Sequence, residues 1–152
     1  MRIKDFLAPE RIELELESGS KKEALIELSR LLRGPGPDRF QREILRALEE
    51  REAQGSTGIG EGVAIPHAKL PGLSEIRLAF ARSPRGIEFE SSDGGAVFLL
   101  VALIAPEGSV NQHLNLLARL SRVLKDPLTR RKLQVARDPA EVLRLLCEEE
   151  GE

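Results

Sequence analysis

The stretch AVFLLVALIA, Ala96 to Ala105, constrains this chain more than any other: ten apolar residues in succession without a charge. A bilayer span needs roughly twenty such residues, so the run reads as a buried strand. A strand without a polar face requires cover on both sides, and helices above and below a sheet supply it. At 152 residues the chain is predicted to be one domain over its whole length, burying roughly two thirds of its unfolded surface without a disulfide or metal staple. Its 41% hydrophobic and 32% charged residues match a soluble globule rather than a disordered or fibrous chain.

The elements around that strand carry their own punctuation. Ser20-Lys-Lys-Glu23 forms a capping box ahead of Ala24, Leu25, Leu28, Leu31 and Leu32 at helical spacing, and Gly34-Pro-Gly-Pro37 stops the helix. Asp38 is predicted to cap a second helix with Phe40, Ile44, Leu45 and Leu48 on one face, running to about Ala53. After the glycine-rich GSTGIGEG at 55–62 the period changes, and Ile76–Arg82, Gly86–Phe89 and Ala96–Ala105 read as strands bounded by turn residues. Ser109-Val-Asn-Gln112 is a second box, opening a helix through Leu114, Leu117, Leu120 and Leu124; Asp126-Pro127 and Asp138-Pro139 open two short ones. The order is that of a layered α/β domain.

Charge and cysteine content narrow the function. A net charge of -2 argues against a domain that binds nucleic acid by neutralising phosphates. The single cysteine, Cys147, excludes an internal disulfide and a multi-thiolate zinc site, and its place beside Val142, Leu145 and Leu146 makes it a small core residue. The N-terminus is broken by charges before any signal-like apolar stretch, so a reducing cytoplasm is expected. Glu148–Glu152 reads as a solvated tail.

Only two histidines are present. His67 follows Pro66, which fixes its own φ and pushes Ile65 into extended backbone, so its ring occupies a defined place beyond a strand, with small neighbours that a large partner can approach. A mostly neutral imidazole at pH 7 offers a nucleophilic nitrogen; a structural histidine after a strand fits the same spacing. His113, in the first turn of the Ser109 helix and in step with Leu117 and Leu120, faces the sheet. There it is either a half-buried histidine with one hydrogen bond or a donor to an anion at a helix N-terminus. Arg51 ends the second helix, favourable for a cation, and its forked donors suit a phosphoryl group. The glycine stretch is neither G-x-G-x-x-G nor a P-loop. Ser56, His67 and Asp93 make a hydrolase triad only on paper, because Ser56 lacks the G-x-S-x-G context. The two histidines with Asp93 match no metal-ligand spacing.

The segment Arg51-Glu52 followed by Gly55-Ser-Thr-Gly-Ile-Gly-Glu-Gly-Val-Ala-Ile-Pro-His67-Ala-Lys69 resembles the active-site signature of the fructose/mannitol-class IIA domains of the bacterial phosphotransferase system, nitrogen-regulatory IIA proteins included. The resemblance extends to the Ser20 helix start, Gly86-Ile-Glu-Phe89, Asp93-Gly94, Val97, and His113-Leu114 with Leu117-Ala118. The chain departs from the family at Gly95 and Ala96, where a proline often precedes the strand valine. The resemblance implies a mixed parallel and antiparallel sheet flanked by helices on both faces. It also implies that His67 accepts a phosphoryl group from the histidine phosphocarrier protein HPr, with His113 contacting that group and Arg51 stabilising its charge, without metal or cofactor. The group then passes to a IIB domain of a fructose/mannitol-type sugar transport system, or, in regulatory members, serves as a signal controlling docking to a regulatory protein. The membrane enters only indirectly, through a transporter complex, and no IIB, IIC or HPr domain is expected within the chain.

Overall fold

The computed structural model describes residues 2–150. Its central strand is β6 (Val97–Pro106), the apolar run displaced by one residue: Ala96 is exposed, while every residue from Val97 to Ala105 is buried except half-buried Phe98. One edge of β6 pairs antiparallel with β5 (Arg77–Ile87), Leu78 opposite Leu103. The other pairs parallel with β3 (Val63–Ala64) and then β4 (His67–Leu70). Beyond β5 lies β1 (Ile12–Glu13), parallel to it, and beyond β3 lies β2 (Gly58–Gly60), antiparallel. The sheet is mixed, in agreement with the resemblance.

Alternate residues of a strand face opposite layers, and here both layers are occupied. Leu99, Val101, Leu103 and Ala105 join Leu78 and Phe80 in a core with α3 (Val110–Lys125), α4 (Pro127–Val135) and α5 (Pro139–Glu150). Leu100, Ala102 and Ile104 join Ala79 and Ala81 in a second core with α1 (Lys21–Arg33) and α2 (Asp38–Ala53). The small side chains on that second face let Leu28, Leu32, Ile44 and Leu48 of the helices settle close to the strands. Cover on both faces is the physical reason that the β6 sequence has no polar alternation.

β3 and β4 continue one line along β6, since Val63 lies opposite Leu99 and His67 opposite Leu103. The line is interrupted at Ile65-Pro66. Pro66 has no N–H to give, and the Ile65 N–H turns instead to the Thr57 carbonyl at 3.0 Å. This interruption sets His67 at the start of β4 with a fixed backbone.

Several local expectations need correction. The two strands expected over 76–82 and 86–89 are the single β5, whose register on β6 shifts between Arg82 and Ile87. Gly86, at φ 85° and with room for no Cβ beside the Phe98 ring, permits that irregularity without ending the strand. Asp38 does not cap α2; it is the first helical residue and pairs with Arg33 at 2.9 Å. The Ser109 box does not form either, because the hydroxyl donates back to the Pro106 carbonyl at 2.7 Å. The Ser20 cap does form: the Glu23 N–H donates to Ser20 Oγ at 3.2 Å, while the Glu23 carboxylate accepts the Gly19 N–H at 2.9 Å. Cys147 is half-buried rather than a core residue, and residues 148–150 continue α5 instead of forming a tail; residues 151–152 lie outside the described ones. Among the described residues, no helix is long and apolar enough to cross a membrane.

Candidate functional site

At the β4 edge of the sheet, the last turn of α2 and the first turn of α3 enclose a pocket of about 480 Å³ lined by His67, His113 and Arg51, with Lys69, Leu114 and Ala47 among its other walls. Alternation along β4 explains how His67 reaches it. Ala68 and Leu70 are buried under α1 and α2, so His67 and Lys69 project to the opposite face, where α3 begins.

The two imidazoles meet edge to face, with ring centroids 5.6 Å apart and planes at 84°. His67 is half-buried, and its Nδ1 lies 2.7 Å from the Ile65 carbonyl. A carbonyl only accepts, so the ring proton sits on Nδ1 and the lone pair of the neutral ring is on Nε2. Burial pushes the His67 pKa below the ordinary histidine value; the Ile65 carbonyl opposes this, the Arg51 charge adds to it and the Glu52 charge opposes it. His113 is 5% exposed, and neither ring nitrogen has a hydrogen-bond partner. Its burial, followed by the neighbouring His67 and Lys69, pulls its pKa down to about 4. It is therefore neutral at pH 7, a ring whose nitrogens bond no other protein group and which lines the pocket.

Arg51 donates from Nη1 to the Gly55 carbonyl at 2.8 Å, which ties the end of α2 to the glycine stretch while the guanidinium lines the pocket. Its neighbour Glu52 points the other way. The Glu52 side chain, 5% exposed, receives the Thr57 N–H at 3.1 Å and the Thr57 hydroxyl, and pairs with Lys21 Nζ at 2.8 Å. Lys21 also reaches Glu90 at 3.2 Å and lies 4.9 Å from the centre of the Phe89 ring.

The structure thus brings His67, His113 and Arg51 together. It separates the members of the paper triad: Ser56 Oγ donates to the Phe89 carbonyl at 2.6 Å, and the Asp93 carboxylate accepts the Glu61 and Gly95 N–H groups at 3.0 Å. Among the described residues, no three of His, Cys, Asp and Glu gather as metal ligands. The glycines also act differently from the expected small-residue surface, since none lines the pocket. Gly58 lies so near Ser91 that a Cβ would stand 2.5 Å from its Oγ, and Gly60 packs against Asp93. The small neighbours of His67 are Ala47 and Ala68. Sequence reasoning missed Lys21, Glu52 and Thr57, whose side chains meet only in the fold. Within the leucine series of α3, Leu114 is 60% exposed and Leu116 is the buried residue of that turn.

Known structures share this architecture. The crystal structure of the nitrogen regulatory protein IIA-Ntr from Neisseria meningitidis superposes with a TM-score of 0.89 at 32% identity, over 95% of this chain and 99% of that one. Residues 5–149 match the family described as phosphoenolpyruvate-dependent sugar phosphotransferase system, EIIA 2, and the chain belongs to that family of phosphotransferase components. A nitrogen regulatory protein of Bradyrhizobium diazoefficiens is 44% identical over 148 residues, 97% of this chain and 95% of that protein. The fructose-specific EIIABC component of Bacillus subtilis is 38% identical over 133 residues, 88% of this chain and 21% of that longer protein.

Proposed function

We propose that this chain is a phosphocarrier in which His67 Nε2 takes a phosphoryl group from the phosphohistidine of an HPr-type protein. The single observation that carries this reading is the edge-to-face pair of His67 and His113, at 5.6 Å, in a pocket that Arg51 also lines. As the Nε2–P bond forms, the P–N bond of the donor breaks and its electron pair returns to the donor's ring nitrogen. The His67 ring becomes cationic, and its Nδ1–H, already on the Ile65 carbonyl, disperses that charge. Loose phosphoryl transfer asks mainly for in-line placement and donors around the equatorial oxygens. A neutral His113 supplies one N–H, and the Arg51 guanidinium supplies charge and further donors.

The test is incubation with phosphoenolpyruvate, Enzyme I and HPr, followed by intact mass. One acid-labile phosphoryl group is expected on the native chain and none on His67→Ala; uptake by the variant would end the proposal.

The onward acceptor has two readings. One is a IIB domain of a fructose/mannitol-type transport system, supported by the family and by the fructose-specific relative. The other is a regulatory partner whose docking depends on the state of His67, supported by likeness along almost the full length to nitrogen regulatory proteins. Label moving from the phosphorylated chain to an added fructose-type IIB domain supports the first; label retained on His67 in its presence supports the second.

A further inference from the structure

Glu52 stands next to Arg51 in the chain yet takes no place in the pocket, and a buried carboxylate is costly unless its partners are well set. Here they are. Oε1 and Oε2 take the two donors of Thr57, and Lys21 supplies the counter-charge. The Thr57 carbonyl in turn holds the Ile65 N–H at 3.0 Å, and the Ile65 carbonyl holds His67 Nδ1 at 2.7 Å. The Lys21 ion pair and three hydrogen-bonded contacts, joined through the backbone of Thr57 and of Ile65, therefore link the α1 N-terminus to the nucleophile. This path crosses the break in the β3–β4 line, where the Ile65 N–H faces the β2 side and meets the Thr57 carbonyl next to the Gly58–Ala64 pair.

We infer that Glu52 is a positioning residue for His67, acting through Thr57 and Ile65 to hold the tautomer that leaves Nε2 unprotonated. A latch serving only to fasten α2 to the glycine hairpin needs no charge, since apolar packing fastens elements at less desolvation cost. A charge, by contrast, makes the two bonds to Thr57 charge-assisted and so fixes that residue's backbone more firmly, and with it the carbonyl that holds Ile65. The same charge also opposes Arg51 at the His67 ring, favouring the cation that forms during transfer. The tautomer claim is independent of transfer; its importance for rate rests on the phosphocarrier reading above.

The experiment compares the native chain with Glu52→Gln, which keeps the shape and removes the charge, and with Thr57→Val, which removes the hydroxyl donor. Imidazole nitrogen NMR on histidine-labelled protein at neutral pH reads the tautomer, and single-turnover uptake from phosphorylated HPr reads the rate. The native His67 is expected as the Nδ1–H form alone. Both variants are expected to show mixed tautomers and uptake slowed about 10-fold, the scale of losing a group that orients a reacting histidine's neighbour. Unchanged nitrogen shifts in a folded Glu52→Gln overturn the inference. If that variant does not fold, unchanged shifts in Thr57→Val overturn it equally. Absence of uptake by the native chain sinks the phosphocarrier reading instead, and leaves the tautomer comparison to decide the role of Glu52.

Discussion

His67 and His113 stand edge to face at 5.6 Å, yet only His67 is tethered: its Nδ1 is held by the Ile65 carbonyl, while both nitrogens of the more deeply buried His113 lack a partner. The two rings therefore differ in what they can do. A tethered ring presents one lone pair in a fixed direction, which suits a nucleophile. An untethered neutral ring has a donor and an acceptor to offer whatever enters the pocket.

His113→Ala is expected to slow phosphoryl uptake by about 100-fold, the scale of losing one preorganised donor to developing charge. Stability should change by no more than about 1 kcal/mol, because the ring borders a pocket and its nitrogens bond no other protein group. Single-turnover rates and urea midpoints on the same preparations check both halves. Unaltered uptake with a large loss of stability would remove His113 from the site.

The buried His113 also makes stability depend on pH. In the unfolded chain it takes a proton near its ordinary pKa of 6.5, whereas the folded chain refuses that proton until about pH 4. The unfolded state binds more protons across this window. Stability therefore falls as pH drops from about 6.5 towards about 4, by of the order of 2–3 kcal/mol, and levels off below. His67, shifted the same way, adds to the slope. Thermal midpoints of the native chain minus those of His113→Gln cancel the carboxylates common to both; a flat difference between pH 6.5 and 4 contradicts the assignment.

Much of this fold was legible because its signals are local. The apolar β6, the Ser20 cap with its leucine stripe, and the proline-marked starts of α4 and α5 depend on residues within a few positions of each other. The histidines and Arg51 were found because each is chemically distinctive. The rest depends on encounters that no spacing encodes. Lys21 meets Glu52 only once α1 packs beside α2. The two-residue β1 exists only because β5 offers it an edge. Ser109 and Asp38 have the right chemistry for caps, but the Pro106 carbonyl and Arg33 claim their side chains first.

The glycine hairpin gives a paired test of packing. At Gly58 an added Cβ would stand 2.5 Å from Ser91 Oγ and 3.0 Å from its Cα, so backbone must move. Gly58→Ala is expected to cost about 1–3 kcal/mol and to disturb the Thr57 end of the path to His67. At Gly108 nothing lies within 4 Å of the added atom, and Gly108→Ala should be neutral or stabilising by up to about 1 kcal/mol through the unfolded chain. Urea titration of the two variants side by side decides; equal effects would contradict the packing at Ser91.

Arg82 tests whether stability and phosphoryl uptake separate across the sheet. It projects from β5, on the side of β6 away from His67, and its guanidinium gathers carbonyls from the chain beyond β1 and from the C-terminal end of α4. Nε donates to Leu14 at 3.1 Å; Nη1 donates to Leu133 at 3.0 Å, Gln134 at 3.1 Å and Ala136 at 2.7 Å. The α4 helix has nine residues, too few to persist without tertiary support, so its C-terminal end depends on this clamp. A lysine keeps the charge but cannot fork to carbonyls on two elements. Arg82→Lys is therefore expected to cost about 2 kcal/mol and to raise amide exchange over residues 133–142, while single-turnover uptake at His67 stays within about twofold of native. A variant that loses uptake while its exchange pattern is unchanged would show that the α4 end communicates with the pocket, contrary to the separation drawn here.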